Sequence, residues 1–391
     1  MANDNKYIPV LRFPEFQNDG EWKCVHIGDA IKTITPPKKL PSSDYKDSGK
    51  FPIVDQSLKY IAGYSNDNTA VVHNDGASIV FGDHTCTLKL IYFPFIQGAD
   101  GIKIFKSKTD DLVTEYIYQH ILANPVVSAE YKRHFSDLKE KILSYPTTTT
   151  EQNKIADCLS SLDKYVDATK RKLDLLKEHK KGLMQRLFPD KGKTIPALRF
   201  PEFQNEGEWN YENGDILYGS IVNKKHKSDL PILAITQENG AIPRDEINYR
   251  VVVEDKSIEG YKVVEIGDFI ISLRSFQGGI EYSRYKGLCS PAYIVLRKRH
   301  SKICDDFYRH YFKSFQYIQE LNRNLEGIRD GKMVSYKQFA DIKLPYPCYE
   351  EQCKIAKCLS SIDDVIQSYI EKKTALELHK NGLMQQLFPK L

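Results

Sequence analysis

The 391-residue sequence contains no run of 18 apolar residues, and its N-terminus, Met-Ala-Asn-Asp-Asn-Lys-Tyr, has no apolar segment. A transmembrane helix needs about 20 mainly apolar residues, and a secretory signal needs an apolar core of about 7–15. The sequence therefore predicts neither kind of segment. We expect a cytoplasmic protein without a membrane partner.

No Cys-x-x-Cys pair occurs among the eight cysteines, which are spread along the chain. Without a secretory signal they are expected to be reduced thiols. The spacing of Cys348, Cys353 and Cys358 could suggest a metal site, but no histidine lies nearby. Structural zinc needs four converging donors, so the sequence predicts no metal site.

Catalytic motifs are missing as well. Neither Gly-x-Gly-x-x-Gly nor His-Glu-x-x-His occurs, and Gly192-Lys193-Thr194 lacks the glycine that a P-loop needs at the position of Leu187. A nuclease with a Glu-x-Lys motif has a Pro-Asp pair shortly before it. No such pair precedes Glu130-Tyr131-Lys132 at short range. The sequence therefore predicts a chain that is not itself an enzyme.

The chain has little excess positive charge. Its 56 Lys and Arg residues outnumber its 52 Asp and Glu residues by four, which gives a net charge of +4. This balance permits an anionic partner without requiring one. A protein that holds a long duplex alone usually carries more excess charge. If DNA is the ligand, a basic face or a second subunit must supply the rest.

The sequence does contain a tandem repeat. Residues 9–22, PVLRFPEFQNDGEW, recur as residues 196–209, PALRFPEFQNEGEW. Residues 151–189 begin EQNKIADCLSSLD and end GLMQRLFP, and residues 351–389 begin EQCKIAKCLSSID and end GLMQQLFP. A constant block, a variable block and a constant helix thus occur twice. This order suggests pseudo-two-fold symmetry, in which constant parts face a symmetric partner and variable parts face something asymmetric.

Each constant segment carries apolar residues in a heptad pattern, in the same register. Thr150 before Glu151-Gln152 indicates a helix N-cap with acid in the first turn, and Pro189 and Pro389 end the two segments. We predict long helices at 150–189 and 350–391 that pair as an antiparallel coiled coil. The alternative is that each helix packs separately on its own domain. Lysines on the seam (Lys180, Lys373 and Lys380) would weaken it locally or extend outward. The predicted seam residues are Ile155, Leu159, Leu162, Val166, Leu173, Leu176, Leu183 and Leu187, with Ile355, Leu359, Ile362, Ile366, Leu376, Leu383 and Leu387 in the second helix.

Short β-like runs broken by Gly, Pro and Asn, followed by a helical stretch, predict an α+β domain in each variable segment. The predicted domains are 1–149 and 196–349, joined through the first helix and a linker at 190–195. Polar loop residues in these domains could contact base edges, since Arg or Lys suits guanine and Gln suits adenine. The alternative for any one of them is a solvated surface residue. The candidates are Gln56, Lys59, Asp83, His84, Thr85, Lys89, Gln97, Gln237, Arg274, Ser275, Gln277, Arg284 and Lys286.

With these motifs and their order, the chain resembles the specificity subunit of type I restriction-modification systems over essentially its whole length. The resemblance implies a non-catalytic DNA-recognition protein. Each target-recognition domain would bind one half of a split, asymmetric double-stranded DNA site, and the helices would fix the gap. It also implies two methyltransferase (modification) subunits docked on the helices and two restriction (translocase) subunits. S-adenosylmethionine, ATP and Mg would be bound by those partners, so no cofactor is expected on this chain.

Two alternatives come from other classes of protein. A coiled-coil scaffold with two protein-binding heads would show no salt-dependent DNA binding. An autonomous nuclease would show metal-dependent cleavage by the isolated chain.

Overall fold

A computed structural model of the chain describes residues 7–99, 101–127, 132–227, 229–246, 255–323 and 334–389. The chain divides into two compact units, and the division passes through both long helices. The first unit extends to Lys170 and resumes at Glu371, and the second unit is Arg171–Ile370. Glu130 and Tyr131, considered above as part of a nuclease tripeptide, lie outside the described residues.

The first unit holds eleven described strands and three complete helices. The strands are β1 (Lys23–His26), β2 (Ile31–Ile34), β3 (Lys39–Leu40), β4 (Phe51–Val54), β5 (Gly63–Ser65), β6 (Val71–Val72), β7 (Ser78–Gly82), β8 (Leu88–Ile91), β9 (Phe95–Gly98), β10 (Ile102–Ser107) and β11 (Ile142–Tyr145). The helices are α1 (Ile27–Ala30), α2 (Thr114–Ala123) and α3 (Phe135–Glu140), and the long helix α4 (Thr149–Leu187) begins here.

Two sheets form the recognition domain of the first unit. One is antiparallel in the order β2-β10-β7-β8, and all five residues of its inner strand β7 are buried. The other has the order β3-β9-β4-β5, with β6 also paired to β9, and its β3–β9 and β4–β9 pairs are parallel. A separate ladder joins β1 to β11, which brings the start of the domain next to the start of α4.

The second unit holds ten described strands and five complete helices. The strands are β12 (Asn210–Asn213), β13 (Tyr218–Ile221), β14 (Leu233–Thr236), β15 (Gly240–Pro243), β16 (Lys262–Val264), β17 (Phe269–Ile271), β18 (Glu281–Tyr282), β19 (Gly287–Cys289), β20 (Ile294–Lys298) and β21 (Lys343–Tyr346). The helices are α5 (Gly214–Leu217), α6 (Ser275–Gly278), α7 (Asp305–Tyr311), α8 (Phe315–Arg323) and α9 (Tyr336–Asp341), and the second long helix is α10 (Tyr349–Leu387).

The same framework occurs in both units despite their dissimilar sequences. The antiparallel order β13-β20-β17-β18 corresponds to β2-β10-β7-β8, and the β12–β21 ladder corresponds to β1–β11. The units differ in their second layer. Within the described residues, the second unit has two-stranded ladders, β14–β15 and β16–β19, where the first has a five-stranded sheet. The recognition domains therefore share one scaffold and differ in what is built on it.

Both long helices have 39 residues, close to the lengths expected from the sequence. In the first unit Asp163 of α4 pairs with Lys380 of α10, and Tyr165 lies beneath Lys372, so the helices run antiparallel. In the second unit Lys180 pairs with Asp363 in the same sense. The predicted α+β fold, with two recognition domains and long antiparallel helices, is confirmed.

All fifteen predicted seam residues are buried or half-buried, and most of the residues between them are exposed. The ends of the seam also belong to the domain cores. Ile155 and Leu387 lie in one core with Trp22 and Tyr116, while Leu187 and Ile355 lie in the other. Each recognition core therefore contains the start of its own long helix and the end of the other. No described helix is both long and apolar enough to cross a bilayer.

Candidate nucleic-acid interface

The repeated LRFPEF and EQ-x-K-I-A motifs meet in a buried ion pair at the start of each long helix. Arg12 Nε and Nη2 each donate to the Glu151 carboxylate at 2.7 Å, although the two residues are 139 positions apart. Arg199 donates in the same way to Glu351, at 2.8 Å for both bonds. The pKa of each arginine is raised, chiefly by its hydrogen bond to the glutamate. These bidentate pairs fasten the constant block to the helix.

A second set of contacts repeats beside the first. Lys154 lies over the Phe13 ring at 5.6 Å and pairs with Glu15 at 3.2 Å. In the other repeat, the equivalent lysine lies over a phenylalanine ring at 5.5 Å and pairs with a glutamate at 2.7 Å. The identity of these motifs in both copies thus has a structural cause.

The glutamine that follows each helix-start glutamate connects the helix to its recognition domain. Gln152 accepts a hydrogen bond from the Val113 amide at 2.8 Å and donates to the Asp111 carbonyl at 2.9 Å. Gln352 accepts from the Cys304 amide at 3.0 Å. Since both glutamines are buried, each recognition domain is held in a defined orientation on its helix start.

The backbone of each constant block also bonds to the end of the other repeat's helix. The Leu11 amide donates to the Gln386 carbonyl at 2.9 Å, and the Leu198 amide donates to the Arg186 carbonyl at 2.8 Å. Within each unit, the recognition domain is thereby fixed to both long helices.

In the first unit, the structure brings together several of the predicted DNA-contact residues. Thr85, in the β7–β8 loop, donates to the Gln56 carbonyl in the β4–β5 loop at 3.0 Å. The side chains of Gln56 and His84 meet at Gly101. Gln56 Nε2 and His84 Cδ2 lie 2.9 and 3.0 Å from the position that a Cβ atom on this glycine would occupy. Lys59 is exposed on the same β4–β5 loop. Two loops thus form one polar surface on this domain.

Three other candidates in the first unit are buried. Lys89 Nζ donates to the Asp55 carbonyl at 2.7 Å, and burial lowers its pKa. Asp83 Oδ1 accepts from the Phe135 amide at 2.9 Å, and Gln97 on β9 is 1% exposed. Burial favours a structural role for these three side chains, which support the loops from within. Any base contact by them stays a prediction.

In the second unit, Gln237 at the β14–β15 turn lies beside α6. Its Nε2 donates to the Arg274 carbonyl at 3.4 Å, and the side chains of Arg274 and Gln277 are exposed. Ser275 is 1% exposed, and its hydroxyl accepts from the Ser272 amide at 2.9 Å. The serine thus shapes the turn that presents its neighbours, and burial favours that role for it too.

The β18–β19 turn carries the last two candidates, both exposed. Lys286 Nζ pairs with Glu265 at 3.0 Å. Arg284 forms no ion pair with any described residue. Next to these loops, Lys313 Nζ donates to Glu281 at 2.5 Å, and burial raises the pKa of that glutamate.

Sequence reasoning missed a basic loop between β13 and β14. Lys224, Lys225 and Lys227 are exposed, and none forms an ion pair with another residue that the structure describes. Asn223 fixes the loop, because its Oδ1 accepts from the Lys225 amide at 2.9 Å and its carbonyl accepts from the Val263 amide at 2.7 Å. The signal was present in the sequence as the run Lys-Lys-His-Lys, which is typical of a site for an anionic partner.

At the end of the corresponding β2–β3 loop of the first unit, Lys38 is followed by Lys39, the first residue of β3. Lys38 pairs with Asp67 at 2.9 Å, and the two side chains are 55% and 27% exposed. Among the described residues, no group of three or more His, Cys, Asp or Glu side chains is arranged to hold a metal ion.

Comparison with known proteins gives a consistent result. The sequence profile described as type I restriction modification DNA specificity domain matches residues 19–178 and again residues 190–378. The putative type I restriction enzyme MjaX specificity subunit of Methanocaldococcus jannaschii is 26% identical over an alignment of 300 residues, which covers 72% of this chain and 68% of that protein. The EcoR124I/EcoR124II specificity subunit of Escherichia coli is 24% identical over an alignment of 376 residues, which covers 90% of this chain and 88% of that protein.

The fold is shared with a solved structure, the S subunit of a type I restriction-modification system from M. genitalium. The TM-score is 0.66 at 16% identity, and the match covers 98% of this chain and 99% of that one. The profile matches the chain twice, once in each repeat, and the two matches together take in most of its length. The chain therefore belongs to the family of type I restriction-modification DNA specificity subunits.

Proposed function

We propose that this chain recognises a bipartite, asymmetric DNA site, with one half bound by each recognition domain. The observation that carries the proposal is the pair of exposed polar loop surfaces on an equivalent sheet framework. Glutamine can bridge two groups of adenine, and arginine can bridge two groups of guanine. The exposed or half-buried candidates for these contacts are Gln56, Lys59, His84 and Thr85 in the first domain and Gln237, Arg274, Gln277, Arg284 and Lys286 in the second.

The loop of Lys224, Lys225 and Lys227 would bind the phosphate backbone rather than the bases. Its lysines are exposed and without ion pairs among the described residues, and the backbone is fixed by Asn223. Backbone contacts set the position of a protein on the duplex, and base contacts provide the sequence preference. A few such contacts, together with those of partner subunits, would compensate for the small net charge of the chain.

The long helices would fix the gap between half-sites and dock two methyltransferase subunits. Tyr165 and Val365 occupy equivalent positions on α4 and α10, and they are 46% and 43% exposed. Exposed side chains at equivalent positions of a repeat would be available to two copies of the same partner. In the full complex, two restriction subunits would join. S-adenosylmethionine, ATP and Mg would then be bound by these partners, in the cytoplasm.

A domain exchange tests the proposal. Residues 23–149 are replaced by the matching segment of another specificity subunit, and the chain is expressed with its methyltransferase subunit. Sequencing of methylated positions in the host DNA should show one half-site changed and the other half-site kept. A change in both halves, or no methylation dependent on this chain, would contradict the proposal.

Salt dependence separates DNA recognition from the scaffold alternative. Replacing Lys224, Lys225 and Lys227 by glutamine should weaken binding to all DNA sequences alike. It should also reduce the slope of log K against log salt by up to about 2.7, at roughly 0.9 per phosphate contact. If the chain is a scaffold without a DNA role, neither the parent nor the triple variant should show salt-dependent DNA binding.

A matched control removes the same charge elsewhere. Lys170, Lys172 and Lys177 are exposed on α4 and distant in sequence from the loop. Their replacement by glutamine should leave the slope within about 0.5 of the parent value, because only lysines that contact phosphate release counterions on binding. An equal loss of slope in both triple variants would show that the loop has no special role.

A further inference from the structure

Two ion pairs join the long helices, and they occupy equivalent places in the two units. Lys380 Nζ of α10 lies 2.5 Å from Asp163 Oδ1 of α4. In the second unit, Lys180 Nζ of α4 lies 2.5 Å from Asp363 Oδ1 of α10. Lys180 and Lys380 are two of the seam lysines expected from the sequence to weaken the pairing or extend outward. Instead, each one finds an aspartate on the opposite helix.

In the first unit the aspartate also bonds to the recognition domain. Gln119, on α2, donates through Nε2 to Asp163 Oδ2 at 3.2 Å and to Ser160 Oγ at 3.3 Å. Gln119 itself is 1% exposed, whereas the Asp163 side chain, which receives the bond, is 38% exposed. One carboxylate thus links three elements: its own helix, the opposite helix and the recognition domain.

The second unit builds the same junction with different side chains. His310 Nδ1 of α7 lies 3.8 Å from Asp363 Oδ2, and its Nε2 lies 3.2 Å from Ser360 Oγ. Arg309 Nη2 donates to the same serine hydroxyl at 2.9 Å. The serine and aspartate are retained in both repeats, whereas the recognition-domain partners differ. This is the pattern expected when the helices are a constant base for interchangeable domains.

The spacing along the helices is also equal. Asp163 precedes Lys180 by 17 residues on α4, and Asp363 precedes Lys380 by 17 residues on α10. In an antiparallel pair, equal spacing allows both ion pairs to form in one register. An apolar heptad seam alone tolerates a shift of seven residues, which moves one helix by roughly 10 Å. Such a shift would separate both lysines from their aspartates and leave charges on an apolar seam.

We propose that Asp163 and Asp363 are positioning residues that fix the helix register and the seating of each recognition domain on the helices. They would thereby set the spacing and the relative rotation of the two half-sites. The inference rests on the proposed function, since spacing has meaning only for a bipartite site. No base contact is assigned to either aspartate.

Charge reversal and charge exchange test the proposal in the complex with the methyltransferase subunit. Asp163→Lys places two lysines opposite each other, and Lys380→Asp places two aspartates opposite each other. Each single variant should lower the rate of methylation at the parent site roughly tenfold or more, a loss within the range of couplings between contacting residues. Methylation should also appear at sites with an altered gap. The double variant re-forms the pair in reverse and should recover to within about threefold of the parent, the remaining loss coming from Gln119.

Two further variants keep the outcome decisive. Asp167→Lys makes the same charge change at an exposed position of α4 and should leave rate and gap unchanged. Asp163→Asn removes the charge at nearly constant size and should give an intermediate loss of methylation rate. It replaces Asp163→Lys in the test if that variant fails to fold. Folding and binding of the methyltransferase subunit are checked by circular dichroism and size-exclusion chromatography.

The proposal is overturned if folded single variants keep the parent rate and gap, because the cores at the helix ends would then suffice to fix the register. It is also overturned if both single variants lose activity and the folded double variant recovers none of it. Failure of the proposed function looks different, since the parent complex itself would then show no bipartite methylated motif.

Discussion

Replacing Glu351 by glutamine is expected to destabilise the second unit strongly. The carboxylate of Glu351 is 1% exposed and accepts from Arg199 Nε and Nη2 at 2.8 Å and from Trp209 Nε1 at 3.1 Å. The variant keeps the size of the side chain, but it removes the charge that compensates the buried guanidinium. It also places an amide NH2 among donors.

The size of the effect follows from these contacts. Removing one partner of a buried ion pair costs about 3–5 kcal/mol, and a hydrogen bond to a charged group contributes about 1.5–3 kcal/mol. In the first unit, Glu151 accepts the matching two bonds from Arg12. The Trp22 indole N–H, however, has no hydrogen-bond partner among the described residues. We therefore expect Glu351→Gln to cost about 1–2 kcal/mol more than Glu151→Gln.

The two tryptophans make the measurement specific to each unit, because Trp22 lies in the first and Trp209 in the second. In a Trp22→Phe background, urea unfolding followed by selectively excited tryptophan fluorescence reports Trp209, and therefore the second unit. Glu202→Gln is the control, since its ion pair with Lys354 is about half-exposed and screened by solvent, and its loss should change stability little. If Glu351→Gln costs no more than that control, the buried pair does not stabilise the unit as reasoned here.

Three other changes have defined outcomes. Gly279→Ala should destabilise the second unit by about 3 kcal/mol or more in urea unfolding, because φ is +84° and a Cβ would lie 1.9 Å from the Phe312 carbonyl oxygen; Gly260→Ala, in open space, should cost under about 0.5 kcal/mol. Burial lowers the pKa of His120 to about 3, below its unfolded value, so the unfolded chain takes up the proton first and stability falls as pH drops below about 6.5. At pH 5, His120 therefore lowers the free energy of unfolding by about 2 kcal/mol. His120→Gln should remove this decrease from the pH profile of urea unfolding. Inserting four residues after Leu173 adds about 6 Å and about 40° of rotation, so the methylated motif should gain one or two unspecified base pairs or activity should be lost; an unchanged gap with full activity would show that the helices do not set it.

Much of the architecture could be predicted because it is repeated in the sequence. The duplicated motifs indicated two long helices and two recognition domains, and the structure has both. The prediction of a non-catalytic specificity subunit is confirmed by the family to which the chain belongs. These features depend on local periodicity and on repetition, which can be recognised without knowing how distant segments meet.

The contacts between distant segments could not be predicted in the same way. Glu151 was interpreted as an acidic residue of the first helical turn, which is a local role. Its main partner is Arg12, 139 residues away, and nothing in the spacing indicates that pair. A usable signal was that Arg199 and Glu351 repeat both residues while the segments between them diverge. When two residues stay identical in both copies of a duplication while the sequence between them diverges, they are candidates for a direct contact with each other.

The choice of loop residues shows another limit. Asp83, Lys89, Gln97 and Ser275 were selected as polar residues expected in loops, but Lys89 and Gln97 lie on strands β8 and β9. The structure buries all four among protein groups. A polar residue that holds a loop from inside cannot be told from one that faces solvent until the packing of the loop is known.

The composition of the first recognition core has a consequence for synthesis of the chain. Phe388 packs against Tyr116 and His120 in that core, with ring centroids 5.7 and 5.2 Å apart. At about 5–20 residues per second, the ribosome adds Phe388 roughly 10–50 s after the rest of the domain has emerged. The second unit, Arg171–Ile370, is continuous in the chain and has no such wait. Although the units are alike in structure, the one whose synthesis begins first is the one completed last, because its core lacks Phe388 until the second unit has been synthesised.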